Sequence, residues 1–165
     1  SVAGNDTVRL FTQMNDFGVS EGLTILGASG TVTAQNINAI GAAAEGFITG
    51  VGYSVLIDSP ENKAFTEAFR ERNGADPDLY GADSYGLLFA YKAAVEAAGA
   101  TDTDSVRASL EGLSWDTPQG TKTIRAGDHQ AMQPMYVVEV KNGQFTIARS
   151  IAGEDAIGPG TCDTF

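Results

Sequence analysis

The first part of the chain changes from helical to strand-like spacing of its apolar residues. An apolar stripe with spacings of three and four runs from Val8 to Met14 and predicts a helix, with Asn5 or Asp6 as its N-cap. Gly18 stands where a left-handed residue would end that helix. The apolar residues 22–27 then predict a short buried strand. A helix, a glycine and a strand in this order are typical of an α/β sheet with crossover helices.

Three further helices are predicted between residues 59 and 111. Ser59-Pro60-Glu61 is a strong helix start, because serine caps, proline suits the first helical position and glutamate suits the helix dipole. This helix should stop near Asn73-Gly74. The next is expected from Tyr80 to Ala98, and its apolar residues on most faces predict that it is largely buried. The third should cover Thr103 to Glu111.

The last third of the chain has β character. A turn is predicted at Thr117-Pro118-Gln119-Gly120, followed by a strand-like Thr121 to Arg125. Residues 135–140 and 144–148 then form two apolar alternating segments. Asn142-Gly143 between them supplies the positive φ angles of a tight turn, so we expect an antiparallel hairpin.

Glu45 stands alone in an apolar stretch in the middle of the chain. Residues 33–40 predict a short helix, and residues 47–51 predict a strand. Three alanines precede Glu45 and a glycine follows it, which is a poor setting for a solvated face. The carboxylate is therefore a candidate for recognising a positive group on a small ligand. The alternative is an ordinary carboxylate at a strand edge in water.

Composition narrows the class of partner. The chain has 165 residues, 42% of them hydrophobic, which suffices for a core. With 10 basic and 21 acidic residues its net charge is −11, which argues against nucleic acids and anionic membranes as partners. No apolar run approaches the roughly 20 residues of a membrane span. No signal peptide pattern opens the sequence, so we expect that one was removed or that the N-terminus was cut away.

The sequence offers little for catalysis or metal binding. It has one histidine, His129, in a turn-like stretch, and one cysteine, Cys162. Zinc sites and Cys–His catalysis need more such residues, and no phosphate loop or nucleophile elbow occurs, so we expect no enzyme, no metal and no cofactor. Cys162 is either an inert thiol or paired with another polypeptide.

Three more residues are candidates for a binding site. Asn5 and Asp6 lie where a strand would pass into a helix N-terminus, and ligands of open α/β sheets bind at such loops. Tyr85, near the start of the apolar helix, offers a polar aromatic group at a cleft edge. Simple capping by Asp6 and simple helix packing by Tyr85 are the alternatives.

An ordered set of motifs over nearly the whole chain resembles the type I periplasmic solute-binding proteins of ABC transporters, in the branched-chain amino acid and amide group. No single motif is specific, and the resemblance rests on the ordered set. The matching segments are Asn5-Asp6, Asp16-Phe17-Gly18-Val19, Ala43-Ala44-Glu45-Gly46, Phe65 to Phe69, Asn73-Gly74, residues 80–86, residues 97–100, residues 106–112, Thr117-Pro118-Gln119-Gly120 and Asp128-His129.

The resemblance implies an α/β fold with two lobes that close on a small ligand. Each lobe would be an αβα sandwich with mainly parallel sheets, joined by three crossings of the chain, and a C-terminal antiparallel hairpin would follow. Glu45 would pair with the α-ammonium group of a ligand, while Asn5, Asp6 and Tyr85 would face the cleft.

The resemblance covers only the C-terminal part of the family. Residues 1–75 would belong to the second lobe, residues 76–113 would be a helical pair of the first lobe, and residues 114–165 would return to the second. We therefore expect a fragment, a nicked product or one part of a larger protein, with the N-terminal part of the same protein as a partner.

The implied function is the substrate-binding component of an importer for branched-chain or related amino acids or amides. Its partners would be that ligand and a membrane permease, and it would be periplasmic or extracellular, lipid-anchored or soluble. A ligand-binding domain of a signalling receptor with the same fold is the alternative.

Overall fold

A computed structural model describes Val2 and residues 4–160. It contains both helices and strands in an irregular alternation. The helices are α1 Asn5–Asp16, α2 Ile37–Ile40, α3 Pro60–Asn73, α4 Leu79–Ala98, α5 Thr103–Leu110 and α6 Gly153–Ala156, with a 3₁₀ turn at Gly41–Ala44. The strands are β1 Leu26–Gly27, β2 Ile48–Val51, β3 Ser114–Thr117, β4 Gly120–Ile124, β5 Ala131–Met132, β6 Met135–Lys141 and β7 Gln144–Ile151.

The chain divides into two compact units. The first consists of the residues up to 51 together with residues 136–150. The second consists of residues 52–135 together with the described residues that follow 150. Each unit carries a sheet of its own.

The sheet of the first unit has four strands in the order β1-β2-β6-β7. β1 and β2 are parallel, with Leu26 opposite Ile48, and β2 and β6 are antiparallel, with Ile48 opposite Glu139. β6 and β7 are joined by a two-residue turn, which only antiparallel strands allow. The resemblance implies lobes with mainly parallel sheets. In this sheet β1 and β2 form one parallel pair, and the β6–β7 hairpin extends it.

The core of the first unit lies between this sheet and its helices. Its centre is an edge-to-face contact of Phe11, from α1, with Phe47, whose ring centroids are 5.5 Å apart. Val32, Ile37, Ile40, Ala44 and Val140 complete the buried cluster. The apolar stripe of α1 is thus buried through Phe11, as its spacing predicts.

The Asn142-Gly143 turn of the hairpin is confirmed. Asn142 has φ 54° and Gly143 has φ 73°. Both residues lie in the left-handed region that a type I′ turn requires, and asparagine and glycine reach it at the lowest cost. The turn therefore fixes the register of β6 and β7.

The expected N-cap of α1 is wrong. Asn5 and Asp6 are the first helical residues, and Gly4, with φ 59°, takes the capping position without a side-chain hydrogen bond. A glycine readily adopts this backbone conformation, so the chain enters the helix one residue earlier than a polar cap would require.

The start of α3 is confirmed. The Ser59 hydroxyl accepts a hydrogen bond from the Asn62 N–H at 3.1 Å, and Pro60 is the first helical residue. The buried Asn62 amide donates to the carbonyl oxygens of Ser54, Val55 and Ile57. One side chain thereby donates hydrogen bonds to three carbonyl oxygens of the loop that leads into the helix.

In the second unit α4 packs through small residues. Ala82, Gly86, Ala90 and Ala94 form its buried stripe. The Trp115 indole N–H, on β3, donates to the Gly86 carbonyl at 3.0 Å, so helix and strand approach closely. β3, β4 and β5 form an antiparallel sheet, and β3 is a strand that the sequence pattern does not predict.

The expected burial of α4 is wrong. Its small residues face inward, while Tyr80, Leu87, Leu88 and Tyr91 are 50–71% exposed. Among the described helices, none combines the length and the apolar composition needed to cross a membrane.

Candidate functional site

Glu45 binds the turn of the β6–β7 hairpin. Its Oε1 accepts a hydrogen bond from the Asn142 N–H at 3.0 Å, and its Oε2 accepts one from the Gly143 N–H at 3.2 Å. The 3₁₀ turn Gly41–Ala44 positions the side chain, because it delivers the chain directly into β2. A carboxylate that accepts hydrogen bonds from two successive N–H groups stabilises the turn that carries them. Glu45 does so while exposed to solvent.

The direction of the strands determines which edge of the sheet Glu45 occupies. It precedes β2, so it lies at the amino end of the parallel β1–β2 pair. β6 runs antiparallel to β2, and its C-terminal end therefore reaches the same edge, as the bond from the Gly46 N–H to the Val140 carbonyl shows. Ligands of open α/β sheets bind at the opposite, carboxyl edge. The ammonium-binding role of Glu45 gains no support from this placement.

Asn5 and Asp6 are exposed in the first turn of α1. The Asp6 carboxylate lies 3.7 Å from the Arg9 guanidinium, one helical turn further on, and both side chains are mostly exposed. Such a pair contributes little to stability. Asp6 does not cap the helix, so the capping role that was the alternative to ligand binding does not apply.

The turn that follows β1 is only a glycine-rich turn by its sequence, and its place in the sheet makes it a further candidate. Ala28, Ser29, Gly30 and Thr31 lie at the carboxyl end of the parallel pair, and the Thr31 N–H closes the turn on the Ala28 carbonyl at 3.1 Å. Gly30 has φ 83°, which a larger residue would rarely adopt. Ser29 is exposed at its tip. Its position directly after a parallel strand was the signal that could have identified it.

Tyr85 belongs to an aromatic cluster in the second unit. Its ring centroid lies 4.7 Å from that of Phe65 and 4.8 Å from that of Phe89. Phe65 in turn contacts Tyr53 and Phe69. Tyr85 is nevertheless 41% exposed, so it combines a packing role with an accessible surface.

Asp83, two residues before Tyr85, accepts two hydrogen bonds from β4 and the turn before it. The Lys122 ammonium donates to Asp83 Oδ1 at 2.9 Å, and the Gln119 amide donates to the same oxygen at 2.8 Å. The Lys122 side chain is only 9% exposed. This buried cation therefore depends on Asp83, and the pair ties α4 to β4.

The Asp128-His129 segment is a turn, as predicted. The Arg125 guanidinium donates two hydrogen bonds to the Asp128 carboxylate, at 2.8 and 2.6 Å, and a third to the Gly158 carbonyl. The bonds from Arg125 lower the pKa of Asp128 to about 2. His129 Nε2 lies 3.3 Å from the Glu111 carboxylate. These contacts hold the turn and tie it to Gly158.

Metal-ligating residues do not gather in the described part of the chain. Within residues 2 and 4–160, no group of three or more His, Cys, Asp or Glu side chains is placed to hold a metal ion. Cys162, whose pairing was left open, lies outside the described residues.

Comparison with known proteins gives the family. Residues 1–144 match the sequence profile of the periplasmic binding proteins. The chain belongs to this family. Among curated members, the Leu/Ile/Val-binding protein homolog 6 of Brucella abortus (strain 2308) is 27% identical over 124 residues, which cover 73% of this chain. The expected type I, leucine-binding-like group is confirmed.

Solved structures of periplasmic binding proteins share the fold. The solute-binding protein of an ABC transporter from Rhodopseudomonas palustris BisB5, in complex with 3,4-dihydroxybenzoic acid, matches 94% of this chain with a TM-score of 0.80 and 23% identity. A leucine-binding protein from Thermotoga maritima MSB8 matches 89% with a TM-score of 0.76 and 23% identity. At these identities the likeness shows the fold alone, and it confirms the predicted α/β class.

The chain spans less than half the length of the relatives it matches. It spans 32% of the Brucella protein, 45% of the R. palustris structure and 42% of the T. maritima structure.

Proposed function

We propose that the chain is part of the substrate-binding component of an ABC importer and binds its ligand by lobe closure, without covalent chemistry. The family match over residues 1–144 carries this proposal. The fold likeness to solute-binding proteins supports it. The protein would deliver its ligand to a membrane permease from the periplasm or the cell exterior.

The proposed ligand is a small molecule that carries a carboxylate or an amide group on an apolar body. Leucine and 3,4-dihydroxybenzoic acid, named with the two solved relatives, both combine one carboxylate with an apolar body, but only leucine carries an ammonium group. Branched-chain amino acids and amides stay our leading ligands. Aromatic acids are the second class, because the one carboxylate that we assign to an ammonium group, Glu45, already accepts two hydrogen bonds from the hairpin turn.

We place this chain's ligand contacts at the carboxyl edge of the β1–β2 pair and at Tyr85. Ser29 lies at that edge, and a helix that precedes a strand in an α/β unit normally runs antiparallel to it, which would bring Asn5 and Asp6 to the same edge. Tyr85, which is 41% exposed, stays a proposed ligand contact as well. Glu45 as an ammonium partner remains a prediction.

The assignment of residues 1–75, 76–113 and 114–165 to alternating lobes also remains a prediction. The compact units favour changes of lobe near residues 51 and 135 instead. Truncations that end at either set of boundaries can be compared by their heat-unfolding cooperativity.

A ligand screen tests the function. The full-length product of the gene that encodes this sequence is heated with leucine, isoleucine, acetamide, benzoate or 3,4-dihydroxybenzoate. A true ligand at 100 times its Kd should stabilise the protein by about 2.7 kcal/mol, through mass action. Failure of every amino acid, amide and aromatic acid to raise Tm would contradict the proposal.

A ligand-binding domain of a signalling receptor is the second candidate, because it uses the same fold. A membrane span or signalling module in the full-length product would favour it over the importer. Neither outcome would change the ligand class.

A further inference from the structure

Two Asn-Gly pairs lie on the surface of the chain, and their backbone is held in different ways. They are Asn73-Gly74, at the end of α3, and Asn142-Gly143, in the turn between β6 and β7. All four residues are exposed. Asparagine before glycine is among the pairs most prone to lose the side-chain amide, because glycine leaves its own backbone nitrogen open to approach. Each pair is therefore a place where the chain can modify itself.

The reaction at the hairpin turn needs only the chain and water. The Gly143 nitrogen loses its proton and attacks Asn142 Cγ, so that a new N–Cγ bond closes a five-membered succinimide ring. The Cγ–Nδ2 bond breaks, and the side-chain nitrogen takes up a proton and leaves as ammonia. Water then adds to one of the two ring carbonyl groups and opens the ring to aspartate or isoaspartate. Neither step involves an oxidant or a reductant.

Glu45 holds the nitrogen that would attack. Its Oε2 accepts the Gly143 N–H at 3.2 Å, and its Oε1 accepts the Asn142 N–H at 3.0 Å. Removal of the Gly143 proton would place two negative charges in contact, which is unfavourable. The same bonds keep Asn142 in the left-handed region, at φ 54°, and the backbone must rotate out of this turn conformation before the nitrogen can reach Cγ. The contact therefore opposes both the proton loss and the rotation.

Asn73-Gly74 is held by backbone carbonyl groups instead. The Gly74 N–H donates to the Arg70 carbonyl at 2.8 Å, and the Asn73 side-chain amide donates to the Phe69 carbonyl at 3.0 Å. These bonds lie within one helix end and do not involve Glu45. The second pair is therefore an internal reference, because a change at Glu45 removes none of its hydrogen bonds.

We propose that Asn142 is a site of spontaneous deamidation and that Glu45 sets its rate. Conversion takes place from molecules in which the turn has opened, so its rate follows the open fraction. Isoaspartate adds one atom to the backbone of a two-residue turn, which the type I′ geometry does not accommodate, and its free carboxylate repels Glu45. Because β6 pairs with β2, a converted molecule loses stability in the first unit. The inference does not depend on the ligand.

Site-resolved mass spectrometry tests the proposal on the full-length product of the gene that encodes this sequence. The protein is incubated near neutral pH, and its peptides are mapped at intervals for deamidation and, by methyltransferase labelling, for isoaspartate. Synthetic peptides of residues 69–77 and 138–147 give the rates of the two pairs without a fold. Glu45→Gln and Glu45→Ala are compared with Glu67→Gln, the control for loss of one negative charge on an exposed glutamate.

The expected result is slow conversion of Asn142 in the folded protein, many-fold slower than in its peptide. Glu45→Gln should raise this rate about fivefold and Glu45→Ala about thirtyfold, the factors by which one and two lost hydrogen bonds raise the open fraction. Asn73 should convert equally fast in all four proteins. Glu67→Gln should leave both rates unchanged. Converted molecules, separated by ion exchange, should unfold at a lower urea concentration than unconverted ones.

Several results would overturn the proposal. Equal rates at Asn142 in Glu45→Ala and Glu67→Gln, or in the folded protein and the peptide, would show that the carboxylate gives no protection. Slower conversion in the Glu45 variants would make the carboxylate a promoter of proton loss. Faster conversion at both pairs would assign the protection to the fold as a whole, which Asn73 reports. An unchanged urea midpoint of the converted molecules would contradict the loss of stability.

Discussion

The Glu45 carboxylate should stabilise the β6–β7 turn, and Glu45→Gln measures by how much. It accepts N–H bonds from Asn142 and Gly143 at 3.0 and 3.2 Å. A hydrogen bond to a charged group contributes about 1.5–3 kcal/mol when sheltered, and less when exposed as here. Glutamine keeps one acceptor and turns an NH₂ group toward the other N–H. We expect a loss of about 1 kcal/mol, and about 2 kcal/mol for Glu45→Ala.

The assay has a global and a local readout. Urea unfolding gives the change in free energy, and NMR hydrogen exchange reports the amides of Asn142 and Gly143 directly. Both amides should exchange faster in the variants. Glu67→Gln, an exposed glutamate on α3, is the control for loss of one negative charge.

The result also separates the two roles assigned to Glu45. Equal stability and equal turn exchange in Glu45→Gln and Glu67→Gln would refute the structural reasoning. If the full-length protein then also lost affinity for amino acids but kept its affinity for benzoate, the ammonium-binding prediction would stand. A change in turn exchange with unaltered ligand affinity would instead remove Glu45 from the site.

Three further outcomes are expected. Gly27→Ala should cost about 1–3 kcal/mol in urea unfolding, because its Cβ would overlap the Phe47 ring; Gly50→Ala, with no atom within 4 Å of its Cβ, is the matched control and should cost clearly less. Asp83→Asn should cost about 1–3 kcal/mol, since the buried Lys122 side chain loses its counter-charge, and changing Lys122 to methionine as well should recover part of the loss. The pKa of Asp128 falls from 3.8 to about 2 on folding, so its contribution is complete above pH 3.8 and is lost as pH falls toward 2; Asp128→Asn should flatten the urea midpoint over that range, and an unchanged slope would contradict the assignment.

Structural features that depend on neighbouring residues could be predicted from the sequence. Ser59 with Pro60, and Asn142 with Gly143, each act on backbone groups within three residues, so the pattern alone predicts a helix start and a hairpin turn. The order of motifs was enough to give the family and the α/β class. These features do not depend on residues elsewhere in the chain.

Structural features that depend on residues far away in the sequence could not be predicted from it. The partners of Glu45 are 97 and 98 positions away, so nothing next to it in sequence shows that its carboxylate is already bound. The prediction that α4 is largely buried was wrong for a related reason. Its composition predicts a covered helix, but the described residues cover only the stripe of small side chains. The predicted N-cap of α1 was wrong because Gly4, at positive φ, takes the capping position in place of a polar residue.

The first compact unit is assembled from two stretches of chain, and this sets an order of events during synthesis. Residues 52–134 intervene between β2 and the β6 strand that pairs with it. Closing a loop of this length costs about 4 kcal/mol of chain entropy if the loop is unstructured. The ribosome releases β2 long before β6, so the sheet stays incomplete while the helices of the second unit emerge. If those helices fold first, they shorten the effective loop, and the hairpin then completes the older half of the sheet as the last step.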